Sequence, residues 1–197
     1  MEPRPPALAA VVLAGGGSRR FGADKLAAGI AGRPLLDHAL DGLPTETAVA
    51  VVGPTRALSR SVTGLREDPP GGGPAAGLVT GLIWALSTGA AAIVTLPGDA
   101  PAGGRAAVLL LAELDRQGRE SVVGVDESGR DQVLQLALRA EAARRLIEIA
   151  GPDRGHDQSV RRLVAALAPG RLPLSDELSH DIDTADQLDY FRNLRRT

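Results

Sequence analysis

An unbroken apolar run, Ala7 to Leu13, gives way at once to Ala14-Gly15-Gly16-Gly17-Ser18-Arg19-Arg20-Phe21-Gly22-Ala23-Asp24-Lys25. The run reads as a buried strand. Glycine adopts backbone angles that other residues avoid and lets a ligand approach the main chain closely. Exposed amides and cations at the end of a buried strand suit a polyphosphate. Spacing excludes the two best-known glycine motifs. A G-x-G-x-x-G fingerprint starting at Gly15 needs glycine where Arg20 stands, and one starting at Gly17 needs it at Arg19. A G-x-x-x-x-G-K-[ST] loop running from Gly17 to Gly22 meets Ala23-Asp24 instead of the lysine and hydroxyl.

The chain has 197 residues, a length that predicts one domain (1–197) with a sizeable core. A net charge of −2 and 2% aromatic content argue against a nucleic-acid partner. The chain has no cysteine, which excludes disulfides and thiolate metal sites. There is no signal-peptide pattern and no apolar stretch long enough to span a bilayer, so the expectation is a cytoplasmic protein without a membrane partner.

Strand and helix signals alternate. Strands are expected at Ala7–Leu13, Thr47–Val52, Leu65–Glu67, Ala91–Leu96, Ser121–Val125 and Val133–Leu138. Helices are expected at Pro34–Leu43, Thr55–Thr63, Ala75–Leu86, Arg105–Arg116, Ala140–Ile149, Ser159–Leu167 and Thr184–Leu194. This alternation predicts an α/β fold: an open, mainly parallel, Rossmann-like sheet with helices on both faces. Ligands of such sheets sit outside the carboxyl ends of the strands. The glycine loop and the Pro97–Pro101 loop both follow strands and can converge there.

Several residues are candidates for chemistry. Lys25 and Arg20 offset phosphate charge on one reading and are solvated surface cations on the other. Asp99, just past an apolar strand, is placed to hold magnesium, which takes hard oxygen ligands; its Gly-Asp-Ala-Pro setting also suits a plain turn. Asp68 opens a Gly/Pro loop and either contacts a base or ribose or is an ordinary loop residue. Asp181 and Asp183 share a face if extended, so one of them can complete a metal site with Asp99; Asp183 or Thr184 also suits a helix cap. His38, His156 and His180 are too scattered for a metal pattern. Ser18 and Ser159 lack a base partner, which argues against a serine nucleophile. Gln132 and Gln135 can reach a second substrate from their strand.

Together these pieces resemble the molybdenum cofactor guanylyltransferase family, within the wider nucleotidyltransferase group. The family pattern L-A-G-G-x-S-x-R-M-G-x-D-K is matched by Leu13 to Lys25, with Phe21 in place of methionine. The G-x-P-L element is Gly32-Arg33-Pro34-Leu35, the D…G-P-x-A-G element runs from Asp68 to Gly77, and D-x-P is Asp99-Ala100-Pro101. The late N-x-N-T-P-x-D-L element is similar to Asp181–Leu188, with aspartates for both asparagines. Two further departures are Gln132-Val133-Leu134-Gln135 for a proline-containing strand and Gly53-Pro54 where a polar nucleotide contact is sometimes found.

The resemblance implies that main-chain groups of Leu13, Ala14 and Gly15 hold GTP, together with Lys25, Asp68 and Asp99. It implies Mg2+ on Asp99, and Arg20 and Lys25 steadying the leaving pyrophosphate. GMP would pass to a molybdopterin-type acceptor, with molybdoenzymes or cofactor-insertion proteins downstream. The rival readings are a related transferase using CTP or a sugar phosphate, and a non-catalytic nucleotide- or cofactor-binding relative. A nicotinamide-dependent oxidoreductase fits the fold class but fails on glycine spacing.

Overall fold

The structure is a computed structural model and describes residues 7–15, 24–30, 32–182, 184 and 187–188. Its centre is β1 (Leu8–Leu13), where the apolar run is buried almost throughout. Alternation along a strand sends successive side chains to opposite faces. Accordingly Ala10 and Val12 join one apolar core and Ala9 and Val11 join another.

A short 3-10 turn at Lys25–Ala27 follows, then a small antiparallel pair, β2 (Gly29–Ile30) and β3 (Arg33–Pro34), and α1 (Leu35–Ala39). The chain continues through β4 (Ala48–Val52), β5 (Thr63–Leu65), α2 (Gly73–Ser87), β6 (Ala92–Pro97) and α3 (Gly103–Gln117). After these come β7 (Ser121–Val125), β8 (Asp131–Arg139), α4 (Ala140–Ala150), α5 (Val160–Ala165), β9 (Gly170–Pro173) and α6 (Asp176–Ser179). Among the described residues no helix is long and apolar enough to cross a membrane.

Seven strands form one sheet in the order β5-β4-β1-β6-β8-β7-β9. β8 runs against both of its neighbours, and the other pairings are parallel. Leu36 of α1 and Leu110 and Leu114 of α3 pack on one face. Leu78 and Leu82 of α2 and Leu146 of α4 pack on the other. The expected mainly parallel sheet with two covered faces is therefore what the chain forms. α2 sits so close to β1 that a Cβ on Gly81 would lie 2.1 Å from Val11 Cγ1.

From β1 the chain moves to β4 and β5 on one side, then returns to β6 on the other. The reversal falls between β1 and β6, and a crevice opens at such a point beyond the strand ends. Leu13 and Pro97, the last residues of these strands, are register partners at its edge.

The expectations for 55–67 need correction. No helix forms at Thr55–Thr63, and the strand is Thr63–Leu65 rather than Leu65–Glu67. Side chains hold this segment extended. Buried Asp37 accepts from the Ser59 N–H and Oγ, each at 3.0 Å, and Arg60 donates to the carbonyls of Pro44, Thr45 and Thr47. The expected helix Thr184–Leu194 lies mostly outside the described residues, as do Arg20 and Asp183.

Candidate active site

Lys25 and Asp99, distant in sequence, meet at the crevice: Lys25 Nζ lies 2.8 Å from Asp99 Oδ2, and the side chains are 12% and 27% exposed. The Asp99 loop is held by main-chain bonds to distant segments. The Gly98 N–H donates to the Leu13 carbonyl at 2.9 Å, pinning the loop after β6 against the end of β1. The Ile182 N–H donates to the Asp99 carbonyl at 3.0 Å. The late Asp181-Ile182 segment thus docks on the Asp99 loop, with Ile182 buried beneath it.

Lys25 is fixed through the residue before it. Asp24 caps the 3-10 turn by accepting from the Leu26 N–H. Arg56 grips the Asp24 carboxylate with two nitrogens, at 2.8 and 3.0 Å, and also donates to the carbonyls of Ala14 and Pro54. Its side chain is only 10% exposed. Arg56 therefore closes both ends of the glycine loop onto one guanidinium, an arrangement the sequence reading missed. Hydrogen bonding from Arg56 is the main cause that holds the Asp24 carboxyl below its ordinary value of 3.8. A lowered folded-state value means that the pair stabilises fully above the ordinary value and loses this contribution as the pH falls through the lowered one. Arg56→Ala strands two carbonyls and a carboxylate. It is expected to cost about 1–3 kcal/mol in thermal unfolding and to raise the KM for the nucleotide that the resemblance implies; an unchanged KM would show that the clamp does not position Lys25.

A first cavity of about 540 Å³ runs between the ends of β1, β4 and β6 and the start of α2. Leu13, Gly15, Glu67, Gly73, Pro97 and Asp99 are among the residues that line it. Ala14 does not: its N–H donates to Val52 and its carbonyl accepts from Arg56. Asp68 is exposed and also stands outside the lining, whereas its neighbour Glu67 is part of it.

A second cavity of about 620 Å³ adjoins the first and shares Pro97 and Leu134 with it. Its wall comes from an irregularity in β8. Val123 pairs with Leu136, but the next residue, Gly124, pairs with Gln132. Val133, Leu134 and Gln135 are left without partners on β7 and line the cavity. Bulges of this kind re-aim side chains beside functional sites. Buried Thr95 on β6 fixes the bulge by donating its Oγ1 hydrogen to the Leu134 carbonyl at 2.7 Å. Gln132 and Gln135 thus both reach this second cavity. Thr95→Val leaves the Leu134 carbonyl unpaired, with an expected cost of about 1–2 kcal/mol. If, as the resemblance implies, a nucleotide donates to an acceptor and the second cavity takes that acceptor, steady-state kinetics are expected to show a raised acceptor KM and an unchanged nucleotide KM; equal changes in both would remove that partition.

Of the remaining candidates, Asp181 and His180 line the second cavity. His38 is buried and bonds the Ile30 carbonyl through Nε2 at 2.9 Å. The capping role falls to Thr184: it accepts from the Gln187 N–H, and Gln187 Oε1 accepts from the Thr184 N–H, a reciprocal capping box. Among the described residues no group of three or more His, Cys, Asp or Glu could hold a metal. Mg2+ is commonly held by one or two carboxylates together with waters and substrate phosphates. Asp99, partly exposed and facing the first cavity, is a donor of that type.

Comparison with known proteins settles the family. Residues 10–170 match the MobA-like NTP transferase domain. The chain belongs to that family. A molybdenum cofactor guanylyltransferase from Acidiphilium cryptum is 30% identical over 196 residues, covering 94% of this chain and 97% of that protein. One from Cereibacter sphaeroides is 38% identical over 96 residues, 46% of this chain and 49% of its own length. Molybdopterin-guanine dinucleotide biosynthesis protein A from Archaeoglobus fulgidus shares the fold, with a TM-score of 0.68 at 17% identity over 95% of this chain and 98% of that one. The 2-C-methyl-D-erythritol 4-phosphate cytidylyltransferase of Thermus thermophilus also shares it, at 0.62 and 16% identity over 95% and 98% of the two chains. The chain is accordingly a MobA-like nucleotidyltransferase, similar to the molybdenum cofactor guanylyltransferases.

Proposed function

We propose that the chain, acting as one domain, transfers GMP from GTP to the terminal phosphate of molybdenum-loaded molybdopterin and releases pyrophosphate. The observation that carries this reading is the Lys25–Asp99 contact at the crevice, where the donor cavity adjoins a second cavity across Pro97 and Leu134. An acceptor phosphate oxygen attacks the α-phosphorus, and the bond from that phosphorus to the bridging oxygen of the β-phosphate breaks. The acceptor phosphate is already a nucleophile, so no serine–histidine pair is required. The obstacle is bringing anions together, which positioning and fixed opposing charge overcome.

The chain's own residues have distinct parts in this. Leu13 and Gly15 form the floor under the nucleotide, and Ala14 ties the ends of β1 and β4 together. Lys25, held at the crevice by Asp99, carries positive charge to the phosphates, and Arg20 joins it on the departing pyrophosphate. Asp99 would hold Mg2+ with Asp183, and the metal when bound would offset phosphate charge. Asp68 flanks the nucleoside from outside the cavity. The acceptor occupies the second cavity. Its walls include carboxylates at Asp126, Asp176 and Asp181, which suit the N–H groups of a pterin ring, and Arg130 and Arg161, which suit its phosphate. The site of action is the cytoplasm, with molybdoenzymes or cofactor-insertion proteins downstream.

The test is product analysis. The protein with GTP, Mg2+ and molybdenum-loaded molybdopterin is expected to yield the guanine dinucleotide cofactor, identified by mass. A product formed from CTP instead, or GTP and acceptor left unreacted, would contradict the reading.

A further inference from the structure

Among the described residues, side-chain base recognition in the first cavity has few possible sources. Its lining among the described residues is leucine, valine, proline and glycine apart from Glu67 and Asp99, whose side chains carry hydrogen-bonding groups. Asp99 faces Lys25. Glu67 follows β5 and Asp99 follows β6, and the order β5-β4-β1-β6 sets these two strands three spacings apart, roughly 14 Å. That separation is comparable to the reach of a nucleotide from the Watson–Crick edge of its base to its phosphates. The Glu67 carboxylate is also anchored: Oε1 accepts from the Gly71 N–H at 3.2 Å, on the glycine rim of the same cavity.

We propose that Glu67 is the residue that selects guanine, accepting hydrogen bonds from its N1–H and N2–H groups. This rests on the guanylyl-transfer reading above and names its base-reading residue. An ionised carboxylate is an acceptor only. Guanine presents two adjacent donors on its Watson–Crick edge. Adenine and cytosine present one amino group beside a bare ring nitrogen, whose lone pair faces the carboxylate unfavourably. Selection therefore comes from a mismatch imposed on the wrong bases as well as from a bond made to the right one.

Binding titrations with GTP, ITP, ATP and CTP in the presence of Mg2+ test this on the wild-type chain and Glu67→Gln. ITP differs from GTP only in lacking the N2 amino group. The wild type is expected to bind GTP roughly tenfold or more tighter than ITP. In Glu67→Gln that ratio is expected to collapse towards one, and GTP affinity to fall by roughly 10- to 100-fold. Glutamine can still accept from Gly71, so the thermal midpoint should hold, which separates base reading from loop support. An unchanged GTP-to-ITP ratio in Glu67→Gln, with GTP still tightly bound, overturns the inference and leaves guanylyl transfer standing. A wild type that binds ATP or CTP as well as GTP overturns both.

Discussion

Replacing Asp99 by asparagine is expected to lower turnover by roughly 100- to 1,000-fold while leaving the fold intact. The side chain is 27% exposed and lies in no apolar core, so the change removes charge without opening a cavity. The loop itself is held by main-chain bonds that asparagine keeps, from Gly98 N–H to the Leu13 carbonyl and from Ile182 N–H to the Asp99 carbonyl. What is lost is a carboxylate at the crevice: the metal donor on the proposed mechanism, and the partner that holds Lys25 in place. Turnover should fall with circular dichroism and thermal midpoint close to wild type. Full activity in a well-folded variant would remove Asp99 from the mechanism.

Gly53→Ala is expected to act on stability and site together. Gly53 has φ +147°, a conformation that side chains rarely adopt, and its Cβ would stand 2.5 Å from the Ala14 carbonyl oxygen. The obstacle is backbone at the end of β1, beside the first cavity, so no rotamer change relieves it. Overpacking and backbone strain together should cost on the order of 3 kcal/mol, or roughly 6–12 °C in melting temperature for a chain of this size. The surviving folded protein should show a raised donor KM, because Gly15 must shift to make room. A melting temperature within a degree or two of wild type would mean that β1 and β4 separate more easily at their ends than the register suggests. The close approach also explains why Gly53-Pro54 stands where a polar contact is sometimes found: here there is no space for a side chain.

Much of this was legible in the sequence because it depends on local pattern and topology. The apolar runs that became β1 and β6 are buried on both faces, and loops that leave neighbouring parallel strands at one end must converge. That logic brings Lys25 to Asp99 without reference to either residue's neighbours. The parts that were not legible depend on partners supplied from elsewhere in the chain. The 55–62 segment has the composition of a short helix, but Asp37 and Leu43–Thr47 offer its polar groups better bonds than a helix would. Arg56 reads as one more surface arginine until Asp24, Ala14 and Pro54 are brought around it. Asp68 carries the family motif, but its neighbour Glu67 is the one in the cavity lining, which the sequence pattern does not announce. β9 is a short edge strand ending in proline, too brief to announce itself.

The account stands on a nucleoside triphosphate lying along the ends of β5, β4, β1 and β6, with its phosphates between Lys25 and Asp99. A crystal structure with Mg2+ and a non-hydrolysable GTP analogue measures this directly. The expected result is guanine in the first cavity near Glu67, the phosphates within hydrogen-bond reach of Lys25 Nζ, and the second cavity left open for the acceptor. A nucleotide seated in the second cavity, or one whose phosphates lie out of reach of Lys25 and Asp99, would contradict it.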